Sequence, residues 1–145
     1  MWQFNFETST DLTPEQLWPV IADVANWDKL DSNIDFIEIK EKPKSGAKFV
    51  LKPKGGPILK FLIGDFEPLF RYSDICRMPL GRMETRHRFT PGAQTLITVS
   101  IEINGFLAPF WGLVVGRKHA SGLAIQTERI IAQARLLLTE NKASK

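Results

Sequence analysis

Two short runs of alternating residues carry most of the side chains in this chain that could do chemistry. Tyr72 and Asp74 alternate in the first run, and Thr85 and His87 in the second. Residues 78–82 between them include proline and glycine, which predicts a hairpin joining two antiparallel strands. Tyr72 would then lie opposite His87, and Asp74 opposite Thr85.

The other face of this predicted hairpin is rich in arginine. The same register places five guanidinium groups together there, those of Arg71, Arg77, Arg82, Arg86 and Arg88. Because a guanidinium is costly to bury in an apolar core, we expect the arginines to face solvent. The four polar side chains of the opposite face should therefore point into the protein.

Buried polar groups must bond to one another, to water or to a ligand, and three interpretations remain open. In the first, a closed internal network forms in which Asp74 accepts a hydrogen bond from Tyr72 or His87. In the second, the polar groups orient a ligand inside a cavity. In the third, His87 is a general base, Asp74 fixes its tautomer, and Tyr72 donates to a developing enolate oxygen, as an aldol-type cyclisation or dehydration requires.

The elements that would position these residues can be predicted from the spacing of apolar side chains. Trp2, Phe4 and Phe6 alternate with polar residues and predict a first strand. Thr13-Pro14-Glu15-Gln16 contains a capping box and predicts a short helix, with a second short helical segment over residues 24–30. Further alternating segments follow, the clearest of them at residues 97–103.

The last part of the chain, residues 106–138, predicts one long amphipathic helix. Its apolar stripe consists of Phe110, Val114, Leu123, Ile130, Ile131, Ala134 and Leu138. Gly112, Gly116 and Gly122 each cost roughly 1 kcal/mol relative to alanine in a helix, so we expect compensation by close backbone packing or, less favoured, by a kink near a cavity. A sheet followed by one long helix buries both apolar faces if the sheet curls around the helix. The predicted fold class is therefore α+β, with a curved antiparallel sheet of six or seven strands around a long C-terminal helix.

Length and composition set the remaining expectations. The 145 residues fit a single domain, with a polar tail at residues 139–145 that we expect to be disordered. One cysteine, and a start that does not resemble a signal peptide, suggest a cytoplasmic protein. The net charge of +3 is scattered, which argues against a nucleic-acid partner. With only His87, His119 and Cys76 as nitrogen and sulfur ligands, and with His119 expected on the helix surface or at its edge, we expect neither a metal nor a cofactor.

Several short motifs, in this order and spacing, resemble one known superfamily. They are Pro14-Glu15-Gln16-Leu17-Trp18 followed by Asp23 and Trp27, Gly46, His87-Arg88-Phe89-Thr90-Pro91, and Asn104-Gly105-Phe106-Leu107. Together they resemble the helix-grip proteins of the START and pollen-allergen (SRPBCC) superfamily, most closely its polyketide cyclase/dehydrase-like branch. The resemblance implies a helix-grip fold over the whole chain and an internal cavity for an apolar or amphipathic small molecule. Its members range from cyclases to carriers, so it leaves catalysis open.

From this we expect a protein that binds a hydrophobic or polyketide-like molecule between sheet and helix, with cyclase or dehydratase activity left open. The expected lining residues are Tyr72, Asp74, Thr85, His87, Phe49, Phe61, Val99, Ile101, Phe106, Phe110 and Val114. His87, Asp74 and Tyr72 are the candidates for catalysis. Met78, Leu80 and Phe106 lie in turns near the start of the long helix and are consistent with an apolar rim, but isolated exposed apolar residues are normal on protein surfaces and this is the favoured interpretation for each.

Two other classes of function remain open. One is a lipid or quinone carrier, similar to the coenzyme Q-binding members, that docks on an anionic membrane through the arginine-rich sheet face. The other is a protein-interaction domain with a filled core. The oligomeric state is not predicted.

Overall fold

A computed structural model describes residues 1–143 of the chain. Within them, seven antiparallel strands form a single sheet in the order β1-β7-β6-β5-β4-β3-β2. The strands are β1 (Trp2–Thr10), β2 (Ile34–Ile39), β3 (Lys48–Pro53), β4 (Leu59–Glu67), β5 (Arg71–Met78), β6 (Gly81–Thr90) and β7 (Thr95–Asn104). Strands β2 to β7 follow one another along the chain without intervening helices, whereas helices lie between β1 and β2.

Two short helices join the first two strands, as the sequence predicts. Helix α1 (Pro14–Ala22) begins at the predicted capping box, in which the Thr13 and Gln16 side chains each bond the other's backbone N–H. A 3₁₀ turn (Val24–Asn26) and helix α2 (Trp27–Leu30) follow.

The C-terminal rod is helical throughout but is not one regular α-helix. It consists of α3 (Ala108–Trp111), a π-helical segment (Gly112–Gly116), α4 (Arg117–Ser121) and α5 (Leu123–Ala143). Helix α5 continues past residue 139, where the sequence suggested that a tail begins. Residues 144–145 of that expected tail lie outside the described residues.

The glycines of the π-helical segment allow it to lie directly on the sheet. A Cβ added to Gly112 would come within 2.3 Å of the Trp2 ring, and one added to Gly116 within 2.6 Å. The predicted close backbone packing is therefore confirmed at these two glycines. At Gly122, where α4 ends, the nearest atom to an added Cβ is 3.7 Å away, so this glycine is not required for packing.

The predicted stripe of the rod is correct in its second half and wrong in its first. Leu123, Ile130 and Ala134 are buried, whereas Phe110 and Val114 are 51% and 50% exposed. The buried side of the first half instead consists of Ala108, Gly112 and Gly116. Small residues contribute little to a hydrophobic pattern, so the pattern pointed to the wrong side of the helix.

The sheet wraps around this rod, and α1 packs against α5, which confirms the helix-grip architecture. The core lies on the concave face of the sheet, where rows of directly opposite residues run across the strands. One row contains Phe66, Tyr72, His87, Val99 and Phe6, and the next contains Ile63, Asp74, Thr85, Ile101 and Phe4. The predicted site residues are thus neighbours at the centre of the sheet.

Candidate functional site

The β5–β6 hairpin has the register that the sequence predicts. Tyr72 pairs with His87, and Asp74 with Thr85, across the two strands. All four side chains are buried on the concave face, with Tyr72 completely inaccessible and His87 8% exposed. The five arginines of the hairpin are exposed on the opposite face, so the predicted orientation is confirmed.

Tyr72 and Asp74 form a buried hydrogen bond. The Tyr72 hydroxyl donates to Asp74 Oδ2 at 3.1 Å. Burial raises the pKa of the Asp74 carboxyl from 3.8 to about 7, the bond from Tyr72 opposes this rise, and Glu84 adds to it. Burial also raises the pKa of the Tyr72 hydroxyl, with the Asp74 charge acting in the same direction. The pair therefore loses much of its negative charge near neutral pH.

His87 is not a member of this pair. Within the described part of the chain, its Nδ1 atom is buried and has no hydrogen-bond partner, a state shared with Asp28 Oδ1. Burial lowers the pKa of the His87 imidazole from 6.5 to about 4, and the neighbouring His119 adds to this effect. His87 is therefore neutral at pH 7, with one ring nitrogen free to bond.

His119, expected on the helix surface or at its edge, is half-buried. His119 in α4 points at the sheet, where its Nε2 lies 3.2 Å from Thr85 Oγ1 and shares a hydrogen bond whose direction depends on the tautomer. Burial lowers the pKa of His119, against an opposing effect of Asp31. His119 lies four residues before Leu123, and residues four apart lie on the same face of a helix. The predicted burial of Leu123 could therefore have identified His119 as a residue that faces the sheet.

Aromatic rings surround the polar side chains. Trp27 and Phe66 contact the Tyr72 ring, with centroids 5.3 and 6.3 Å away, and His87 lies at 5.9 Å. Trp27 also packs on Phe49, which stacks on Phe61. Trp27 and Phe66 could not be assigned to the site from the sequence, because their contacts depend on how helix and strand pack.

The predicted lining residues fall into two groups. Phe49, Val99 and Ile101 are buried on the concave face beside the polar side chains, and Phe61 is half-buried there. Phe106, Phe110 and Val114 are not brought to this place, because their side chains are at least half exposed to solvent. Phe106 follows Gly105, which has a φ of +113°, and is 85% exposed beside the β5–β6 turn.

The concave face is not completely covered at the β2–β4 side of the sheet. Ile37, Leu51 and Leu59 form a row there and are only partly buried, like Phe61. Two pockets of about 510 and 350 Å³ lie on the convex face, where Gln3, Arg86, Arg88 and Ser100 are among the residues that line them, and the larger pocket also reaches Tyr72 and His87. The half-buried row therefore marks a part of the concave face that is incompletely covered.

Other groups in the core are less reactive. Cys76 is fully buried, and burial raises the pKa of its thiol to about 11, so the thiolate is scarce at neutral pH.

Among the residues that the structure describes, no helix is both long enough and apolar enough to span a bilayer.

Comparison with known proteins decides the family. The sequence profile of the polyketide cyclase / dehydrase and lipid transport family matches residues 1–130. The chain belongs to this family. No functionally curated protein matches the chain.

Solved structures of this polyketide cyclase-like fold are similar to the chain. Norcoclaurine synthase from Thalictrum flavum has a TM-score of 0.72 at 15% identity, with 94% of this chain and 86% of that chain covered. A START superfamily protein from Mycobacterium smegmatis has a TM-score of 0.72 at 13% identity, with coverages of 93% and 98%. Ara h 8.0201 has a TM-score of 0.69 at 15% identity, with coverages of 90% and 98%. At such identities the likeness shows a common fold and not a common ligand.

Proposed function

We propose that this protein binds a neutral hydrophobic or polyketide-like molecule on the concave face of the sheet, with a polar group of the ligand bonded to His87. The observation that carries the proposal is the buried Nδ1 of His87, which has no partner among the described residues. A buried polar atom without a hydrogen-bond partner destabilises the folded protein by about 1–3 kcal/mol. A hydrogen bond with a ligand hydroxyl or carbonyl would remove this cost.

The charge state of the site favours a neutral ligand. His87, with a pKa of about 4, carries no charge at pH 7, and Asp74, with a pKa of about 7, is partly protonated. A carboxylate ligand would thus find no positive charge on His87 to pair with, and the partly ionised Asp74 would repel it. Burial of an unpaired charge is costly, so ketones, phenols and alcohols fit better than acids.

Apolar contacts for such a ligand lie on both sides of His87. Val99 is directly opposite His87 on β7, and on the β5 side the Tyr72 ring has its centroid 5.9 Å from that of His87. Norcoclaurine synthase, one of the similar structures, was crystallised in complex with dopamine and hydroxybenzaldehyde. That complex supports small aromatic molecules as ligands of this fold.

The geometry favours binding over catalysis by the predicted trio. A catalytic His87 would be oriented by Asp74, but Asp74 accepts from Tyr72 instead. A histidine with a pKa of about 4 is also a weak base at neutral pH. We therefore propose a binding protein, and we assign no acid–base role to the trio.

Docking on an anionic membrane through the arginine-rich face gains little support. Arg86 pairs with Glu84 at 2.9 Å and with Glu102 at 3.7 Å, and Arg71 pairs with Glu67 at 3.2 Å. These acids lie on the same face and compensate much of its positive charge.

Binding of 1-aminoanthracene, a neutral fluorescent dye, tests the proposal. Val99→Trp places a larger ring beside His87 on the concave face, so we expect at least about tenfold weaker dye binding. Thr98→Trp on the convex face should leave dye binding unchanged. His87→Phe keeps a ring of similar size and should also weaken binding, which guards against misfolding of the Val99 variant. Unchanged affinity in both concave-face variants would refute the proposal.

A further inference from the structure

Large apolar side chains are exposed together at one end of the molecule. The exposed fractions are 85% for Phe106, 65% for Leu80, 60% for Leu113, 51% for Phe110 and 50% for Val114. We call these five residues the apolar end. An exposed apolar cluster of this kind marks a surface that contacts a partner or a membrane.

The apolar end is held in place by hydrogen bonds. The Leu107 amide donates to the Leu80 carbonyl at 2.9 Å, and Trp111 Nε1 donates to the Pro79 carbonyl at 2.7 Å. The β5–β6 turn is thereby fixed against α3. Phe110, Leu113 and Val114 lie on the side of the rod away from the buried Gly112 and Gly116. The apolar side chains therefore cannot turn inward without loss of the packing on Trp2.

Positive charge surrounds the apolar end. Residues 52–60, 77–82 and 105–124 form the two turns beside it and the first half of the rod. They contain no acidic residue and seven basic ones, Lys52, Lys54, Lys60, Arg77, Arg82, Arg117 and Lys118. Asp35 and Glu84, from outside these ranges, pair with Lys52 at 2.7 Å and with Arg82 at 3.7 Å, so the excess positive charge rests on the other five. Lys118 Nζ reaches the Lys54 carbonyl at 3.5 Å, which joins the rod to the β3–β4 turn.

We propose that the apolar end inserts into the surface of an anionic lipid bilayer. The five apolar side chains would enter the boundary between headgroups and acyl chains, and the exposed Arg117, Lys118 and Lys54 would lie at the lipid phosphates. Two copies of this chain facing each other here would bring like charges together, which disfavours a dimer. The proposal goes beyond ligand binding and does not depend on it.

Flotation with lipid vesicles tests this proposal. We expect the protein to bind vesicles of phosphatidylcholine with about one third phosphatidylserine, and to bind pure phosphatidylcholine at least about tenfold more weakly. The double variant Leu80→Ser, Phe106→Ser should reduce binding at least about tenfold. Leu136→Ser is the matched control, because Leu136 is also 50% exposed but lies in the distal half of α5. The double variant Arg117→Glu, Lys118→Glu should abolish the preference for anionic vesicles.

Three results would overturn the proposal. One is no binding to anionic vesicles at low salt, and another is an equal loss of binding in the Leu136→Ser control. The third is a concentration-dependent dimer in sedimentation velocity that the Leu80→Ser, Phe106→Ser variant abolishes while vesicles remain unbound. Because the substituted residues are exposed, unchanged thermal unfolding of each variant would confirm that it is folded.

Discussion

Thr85 on β6 and His119 on α4 share a hydrogen bond of 3.2 Å between Oγ1 and Nε2, which ties the rod to the centre of the sheet. The bond lies two residues along β6 from His87, on the same face of the sheet. The segment of the rod between the π-helical turn and Gly122 is thus anchored at the proposed site.

Removing this bond should destabilise the fold measurably. Thr85→Val keeps the shape of the side chain but leaves the His119 ring nitrogen without its partner, so we expect the free energy of unfolding to fall by about 1–3 kcal/mol. Urea denaturation would measure it. Thr98→Val on the convex face is the control, and equal stability of the two variants would contradict the structural role of the bond.

Asp74 and His87 should oppose each other in the pH dependence of stability. Between about pH 4 and 7 folded Asp74 keeps a proton that the unfolded chain has released, so its contribution is lost as pH rises. Between about pH 4 and 6.5 folded His87 is neutral while the unfolded residue is protonated, so its contribution grows as pH rises. At full extent the effect is on the order of 4 kcal/mol for Asp74 and 3 kcal/mol for His87.

Two variants would separate these contributions. Relative to the parent protein, the unfolding free energy of Asp74→Asn should rise more steeply from pH 4 to 6.5, and that of His87→Gln less steeply or should fall. Both variants retain His119, so its contribution to the pH dependence of the unfolding free energy cancels when the two are compared. Identical slopes for the two variants in urea titrations would show that neither group has a shifted pKa.

The glycines of the rod should differ in their response to alanine. Gly112→Ala would place a Cβ 2.3 Å from Trp2, so we expect a loss of about 1–3 kcal/mol in spite of the higher helix propensity of alanine. Gly122→Ala meets nothing closer than 3.7 Å and should be neutral or stabilising by up to about 1 kcal/mol. Thermal unfolding of both variants checks this, and a stabilised Gly112→Ala protein would contradict the close packing on Trp2.

The hairpin could be predicted from the sequence because its pattern is local. A turn at residues 78–82 and a period of two are enough to set the Tyr72–His87 pairing, and the cost of burying arginine sets the orientation. The capping box of α1 could be predicted for the same reason, since its two hydrogen bonds lie within four residues.

The contacts of the rod could not be predicted in the same way. Whether Phe110 or Gly112 faces the sheet depends on Trp2, more than 100 residues away in sequence, whose ring occupies the space that a larger side chain would need. The contacts of Trp27 and His119 with the site likewise depend on tertiary packing. Only the three-dimensional structure shows that Asp74 bonds to Tyr72 and leaves His87 free.

The most direct test of the proposed function is nuclear magnetic resonance of ¹⁵N-labelled His87 during titration with 1-aminoanthracene. The chain has two histidines, so the imidazole resonances that remain in the His119→Gln variant belong to His87. We predict that the Nδ1 resonance of His87 shifts to a hydrogen-bonded value as the dye binds. Saturation of the dye signal with the His87 nitrogens unchanged would place the dye elsewhere and contradict ligand binding at His87.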